Sequence, residues 1–136
     1  MKRVFLDTNV LLDLLADREP FAEDAALIFA KAGQGSFELH VCSLSFPNIH
    51  YLVEKIQGRK KAMEAMRYLR PLVTILPVDA HCIEAAIRRN GIDFEDDLQL
   101  ECAIAADVDV ILSRDNKGFK NTKIPVFSPS AFLLRL

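Results

Sequence analysis

Short apolar runs of strand type alternate along the chain with longer stretches of helical periodicity, and this alternation constrains the fold more than any other feature. Residues 3–6 run into Asp7-Thr8-Asn9, after which Val10, Leu11, Leu12, Leu14 and Leu15 begin a helical pattern. Pro20 is placed to open a second helix, with Phe21, Ala25, Ile28 and Phe29 on one side and Gly33 and Gly35 ending it. Residues 37–42 read as a second strand, and 43–47 start a helix that continues to Ile56 before Gly58 breaks it. A further helix over 60–69 stops before Pro71, and 73–78 is a third strand-type run. Asp79 is suited to cap the next helix, which ends at Asn90-Gly91. Residues 93–106 are helical, 108–113 form a clear strand, and 126–127 are a last short strand before a terminal helix. Strands alternating with helices predict a single α/β domain, residues 1–136, with a mainly parallel sheet.

The chain has 136 residues, 51% of them hydrophobic, enough to bury one genuine core. Its formal net charge is −2, so phosphate binding has to come from a local basic patch rather than from bulk electrostatics. Cys42, Cys82 and Cys102 are odd in number, widely spaced and set among apolar neighbours, which suits buried thiols in a reducing compartment. Asp7 interrupts the apolar run at the start, so no signal-peptide core is present, and no later run is long enough to span a bilayer. The cytoplasm is the expected location, with no membrane partner.

The acidic residues carry the chemistry. In open parallel sheets, ligands bind beyond the carboxyl ends of the strands. Asp7 follows the first strand and Asp115 the fourth, which places both at that edge. Taken alone, Asp7 reads better as a helix cap, and Asp115 reads also as a turn residue. Asp96 changes the balance, because it shares a helical face with apolar Leu100 and Ala103 and so points toward packed structure. A carboxylate there needs donors, a cation or a metal to stay ionised. Asp97 lies instead with Glu101 on the more polar side and is expected to be a solvated first-turn acid. Gathered carboxylates suit a hard divalent ion, Mg²⁺ or Mn²⁺, and phosphodiester hydrolysis. His40, His50 and His81 lack zinc-site spacing, and no phosphate-binding glycine loop is present.

Three pieces, Phe5-Leu6-Asp7-Thr8-Asn9, Asp93-Phe94-Glu95-Asp96-Asp97-Leu98-Gln99 and Val110-Ile111-Leu112-Ser113-Arg114-Asp115, occur in an order and at a spacing that resembles the PIN domain family of toxin-type nucleases. The resemblance implies a three-layer α/β/α fold, Mg²⁺ or Mn²⁺ at clustered acids and endonucleolytic cleavage of RNA. It further implies an antitoxin protein that inserts a side chain into the acidic pocket, and a homodimer. By position, Asp7, Asp96 and Asp115 correspond to the family's first, third and fourth acids, catalytic and metal-ligating. Ser113 stands at its Ser/Thr position and Asn9 at the polar residue after the first acid, both facing substrate. The family's second acid, usually Glu, falls at Asn48, which would offer a neutral carbonyl to the metal. Glu54 lies on a different face of that helix and is a poor substitute.

Arg114, Lys117, Lys120 and Lys123 crowd the stretch around Asp115, and Arg114 and Lys117 are candidates to hold RNA phosphates. The basic residues 55–70 read better as a solvated helix face. Tyr51 is a candidate for stacking on single-stranded RNA, whereas Phe46 and Phe119 read as core or lid. Two other functions stay open: a PIN-like RNA- or protein-binding module with weakened catalysis, motivated by Asn48, and a phosphohydrolase of the haloacid dehalogenase type. The second is motivated by Leu6-Asp7-Thr8-Asn9-Val10, but Asn9 replaces the acid that chemistry requires.

Overall fold

The computed structural model describes residues 2–115, 118–119 and 121–136. Among these residues, five strands, β1 (Arg3–Leu6), β2 (Glu38–Cys42), β3 (Thr74–Leu76), β4 (Val110–Leu112) and β5 (Val126–Phe127), form one sheet in the order β3-β2-β1-β4-β5. Every pairing is parallel. The helices are α1 (Thr8–Leu15), α2 (Ala22–Gly33), α3 (Ser45–Gln57), α4 (Arg59–Leu69), α5 (Ala80–Arg89), α6 (Phe94–Ala105) and α7 (Pro129–Leu133).

The alternation of side chains along each strand divides the core into two halves. Val4 and Leu6, Leu39 and Val41, and Val110 and Leu112 pack with α1 to α4 and α7 on one face. Phe5, Cys42 and Ile111 pack with Leu100, Cys102 and Ala103 of α6 on the other. The three layers expected from the sequence are therefore present. Element edges moved by a few residues where local chemistry intervenes. Pro71 cannot continue α4, and Arg70–Leu72 tightens into a 3-10 turn before a shorter β3 than expected. The α2 helix begins at Ala22 rather than at Pro20. Asp79 does cap α5, its Oδ1 accepting from the Cys82 amide at 3.0 Å, and Asn90 ends that helix in the left-handed region. All three cysteines are free and buried. Among the described residues, no helix is long and apolar enough to cross a membrane.

The chain runs outward from β1 to β2 and β3, then crosses the opposite face through α5 and α6 to place β4 against the other side of β1. The carboxyl ends of β1 and β4 thus flank the point where strand order reverses, the place where such sheets accept ligands.

Candidate active site

Register builds the site. Leu6 pairs with Leu112, and the ladder continues one residue further as the Asp7 amide donates to the Leu112 carbonyl at 3.0 Å. Asp7 and Ser113 therefore leave adjacent strands side by side. The Ser113 hydroxyl donates to Asp7 Oδ2 at 2.9 Å and accepts from the Asp115 amide at 3.0 Å, so one buried side chain ties both strand ends together. On the other side, Gln99 of α6 donates from Nε2 to Asp7 Oδ1 at 3.2 Å, and its Oε1 accepts from the Thr8 amide at 3.2 Å. Asp7 is only 2% exposed, and among the described residues the side chains that donate to its carboxylate are neutral, Ser113 and Gln99. Burial pushes its pKa up, against the opposing pull of Ser113, Gln99 and the amides of Thr8 and Asn9.

Helix α6 brings the remaining acids. The Asp93 side chain caps it, accepting from the Asp96 amide at 3.1 Å. Asp96 is pushed up to about 7, first by burial and then by repulsion from Asp93, Asp7, Asp115 and Glu95. Asp7, Asp93 and Glu95 line one cleft with Asp96, and Asp115 lines a neighbouring one that Asp96 also borders. The backbone of Gly118 lies so close that a Cβ there would overlap Asp96 Oδ2. Glu95 is raised by burial, Asp93 and Asp7, and its Oε1 accepts from Asn48 Nδ2 at 2.7 Å. Asp7, Asn9, Asn48, Tyr51, Glu95 and Asp96 all line one cleft of about 320 Å³.

Several expectations need correction. Asp97 is not solvated: it is 9% exposed, its Oδ2 has no hydrogen-bond partner among the described residues, and the Gly91 backbone lies over it. The two-face reading failed because α6 is wedged between the sheet and α5 and buries Asp97, Leu98, Gln99 and Leu100 in succession. Arg114 is not free for phosphate. Its Nε and Nη2 clamp Asp13 at 2.7 and 3.0 Å, and its guanidinium lies 3.8 Å over the Phe21 ring. Ser113 is fully buried and holds Asp7 rather than facing substrate. Asn48 presents its amide nitrogen to Glu95. Asn9 is exposed at the cleft, with Oδ1 accepting from Arg18 Nη2 at 3.3 Å. Lys117 and Lys120 lie outside the described residues. Phe119 is core at 3% exposed, Phe46 packs beneath the other half-core, and Tyr51 is 63% exposed beside Asn48.

Sequence reasoning passed over Gln99, Asp93 and Glu95. The spacing was available: Glu95 and Asp96 stand four and three residues before Gln99, on the side of α6 that meets Asp7.

The PIN domain family profile matches residues 3–117. The chain belongs to the PIN domain family. It is 27% identical over 139 residues to ribonuclease VapC1 of Aquifex aeolicus (strain VF5), covering 98% of this chain and 95% of that one. VapC20 of Mycobacterium tuberculosis, a toxin that cleaves the sarcin-ricin loop, superposes with a TM-score of 0.70 at 15% identity, over 85% of this PIN domain and 92% of that chain. A toxin-antitoxin complex from Klebsiella pneumoniae gives 0.66 at 16% identity, over 93% and 97%.

Among the described residues, no three His, Cys, Asp or Glu side chains of this PIN domain group tightly enough to enclose an ion. The donor chemistry nevertheless suits a hard cation. The polar groups that line the cleft are carboxyl, hydroxyl and amide, and Asp96 is raised to about 7 by burial and by acidic neighbours, a shift that one divalent charge would oppose. Mg²⁺ keeps much of its water shell and needs only one or two carboxylates.

Proposed function

We propose that this PIN domain is a divalent-metal-dependent endoribonuclease acting on single-stranded RNA, and the toxin of a toxin-antitoxin pair. The observation that carries the reading is Asp96, raised to about 7 by burial and then by four acids around it, near the switch point between β1 and β4. Kinship with a ribonuclease adds the substrate class. Asp7, Asp96 and Asp115 would hold Mg²⁺ or Mn²⁺, which supplies an acidified water and charge neutralisation at the scissile phosphate. Ser113 and Gln99 fix the Asp7 carboxylate and favour its ionised form, against the larger upward push of burial. Tyr51, exposed at the cleft rim, offers a ring for an unpaired base. An antitoxin side chain of positive charge would meet the same surplus of carboxylates, and a homodimer of cytoplasmic subunits fits the resemblance.

The test is cleavage of single-stranded RNA by purified protein with Mn²⁺, with EDTA, and with Asp7→Asn. Cleavage that survives EDTA, or an unaffected variant, overturns the reading. Asn48 favours a second reading, a PIN-fold RNA- or protein-binding module with weakened catalysis. It predicts RNA or protein binding in calorimetry without divalent-ion uptake.

A further inference from the structure

The α3 side of the cleft carries an amide, Asn48, which brings no negative charge to offset that of a cation. The structure puts a carboxylate within reach of that amide from another element. Glu95, in the first turn of α6, accepts from Asn48 Nδ2 at 2.7 Å across 47 positions of sequence. It stands one helical turn from Gln99, whose amide holds Asp7, so the α6 face that grips the first acid also carries Glu95 toward it. Both Asn48 and Glu95 line the cleft that contains Asp7 and Asp96. Glu95 has no cationic partner among the described residues, and its Oε2 accepts no hydrogen bond there. A carboxylate on an exposed first turn normally relaxes into water; this one is held by a neutral donor in the cleft that Asp7 and Asp96 also line.

We infer that Glu95 is the cation-binding carboxylate on the α3 side of the site, and that Asn48 is its positioning residue rather than itself a ligand. The inference rests on the metal-dependent reading above. It replaces the expectation that the amide oxygen of Asn48 coordinates the ion. It also removes the argument that Asn48 signals lost catalysis, because the charge absent from α3 is supplied by α6.

The experiment is Mn²⁺ titration followed by electron paramagnetic resonance and calorimetry on the full chain, wild type, Glu95→Gln, Asn48→Ala, Asp7→Asn and the double variant Asn48→Glu/Glu95→Gln. Melting of each metal-free protein controls for folding. Glu95→Gln is expected to weaken Mn²⁺ binding about tenfold or more, and Asn48→Ala by about tenfold through loss of orientation. The double variant returns a carboxylate to the same corner from α3 and is expected to bind within a few-fold of wild type. If Asp7→Asn abolishes binding while Glu95→Gln binds like wild type, the inference about Glu95 is overturned and the metal reading stands. If wild type takes up no Mn²⁺ saturably, both are overturned.

Discussion

Asp7 and Asp13 are both essentially buried, six residues apart on the same strand-helix unit, yet they live in opposite electrostatic worlds. Asp13, at 1% exposed, is clamped by Arg114 through two bonds and by Arg18 Nε at 3.1 Å. Asp7, at 2%, receives only a hydroxyl and a carboxamide, and its further neighbours are acids. One carboxylate is neutralised by the fold and locks α1 to the end of β4. The other is positioned by the fold but left for something else to neutralise. The charge-paired anchor fixes the end of β4 beside Ser113, which holds the other carboxylate.

The largest effect should come from breaking the anchor. Asp13→Ala removes the buried acceptor of two partly exposed guanidinium groups, a change expected to cost about 2–3 kcal/mol in urea denaturation. A loss under about 1 kcal/mol would erase the distinction drawn between the two aspartates. Asp7→Asn should behave in the opposite way. The amide fills the same volume without the desolvated charge, so stability is kept, while RNA cleavage falls about a hundredfold or more because several kcal/mol of transition-state stabilisation depend on that carboxylate. Comparable destabilisation by the two substitutions would count against the contrast.

Gln99 offers a finer break. Its Nε2 bond favours the ionised form of Asp7, so Gln99→Leu raises the Asp7 pKa further and moves the acid limb of the pH-rate profile to higher pH. Activity at neutral pH should fall about tenfold, as for other supporting groups. An unshifted profile with reduced activity would show that Gln99 serves packing alone.

How much of this was legible in the chain is itself informative. Short periodicities gave the strands, the helix order and the edge on which Asp7 and Asp115 stand, because each follows from local pattern and from the rule that places ligands at strand ends. The Asp13–Arg114 clamp spans 101 positions, and a lone acid after Leu12 carries no mark of a partner so distant. Arg114 therefore read as a phosphate ligand, although the fold had already committed it. Asp97 was misread because a first-turn acid normally faces water, whereas α6 is covered on both sides by the sheet and α5. Asn48 was visible as a departure, but Glu95 opposite it became visible only once α3 and α6 were packed side by side.

The smallest effect is a test of the surplus charge itself. Asp96 has a folded-state pKa of about 7 against an ordinary 3.8, so its protonated form favours the fold. That contribution is fully present below about pH 4 and is lost as pH rises through about 7, since the native state retains a proton there that the unfolded chain has released. In metal-free protein at pH 8, Asp96→Asn should consequently stabilise. Asp96 is half-buried, and after solvent screening the gain is on the order of 1 kcal/mol, or about 3 °C in Tm. At pH 4 the two proteins should melt together. Added Mn²⁺ should invert the order at pH 8, raising the wild-type Tm by mass action while leaving the variant nearly unchanged. Were Asp96→Asn to melt lower than wild type at pH 8 without metal, Asp96 would belong with Asp13 among the carboxylates that the fold has already neutralised.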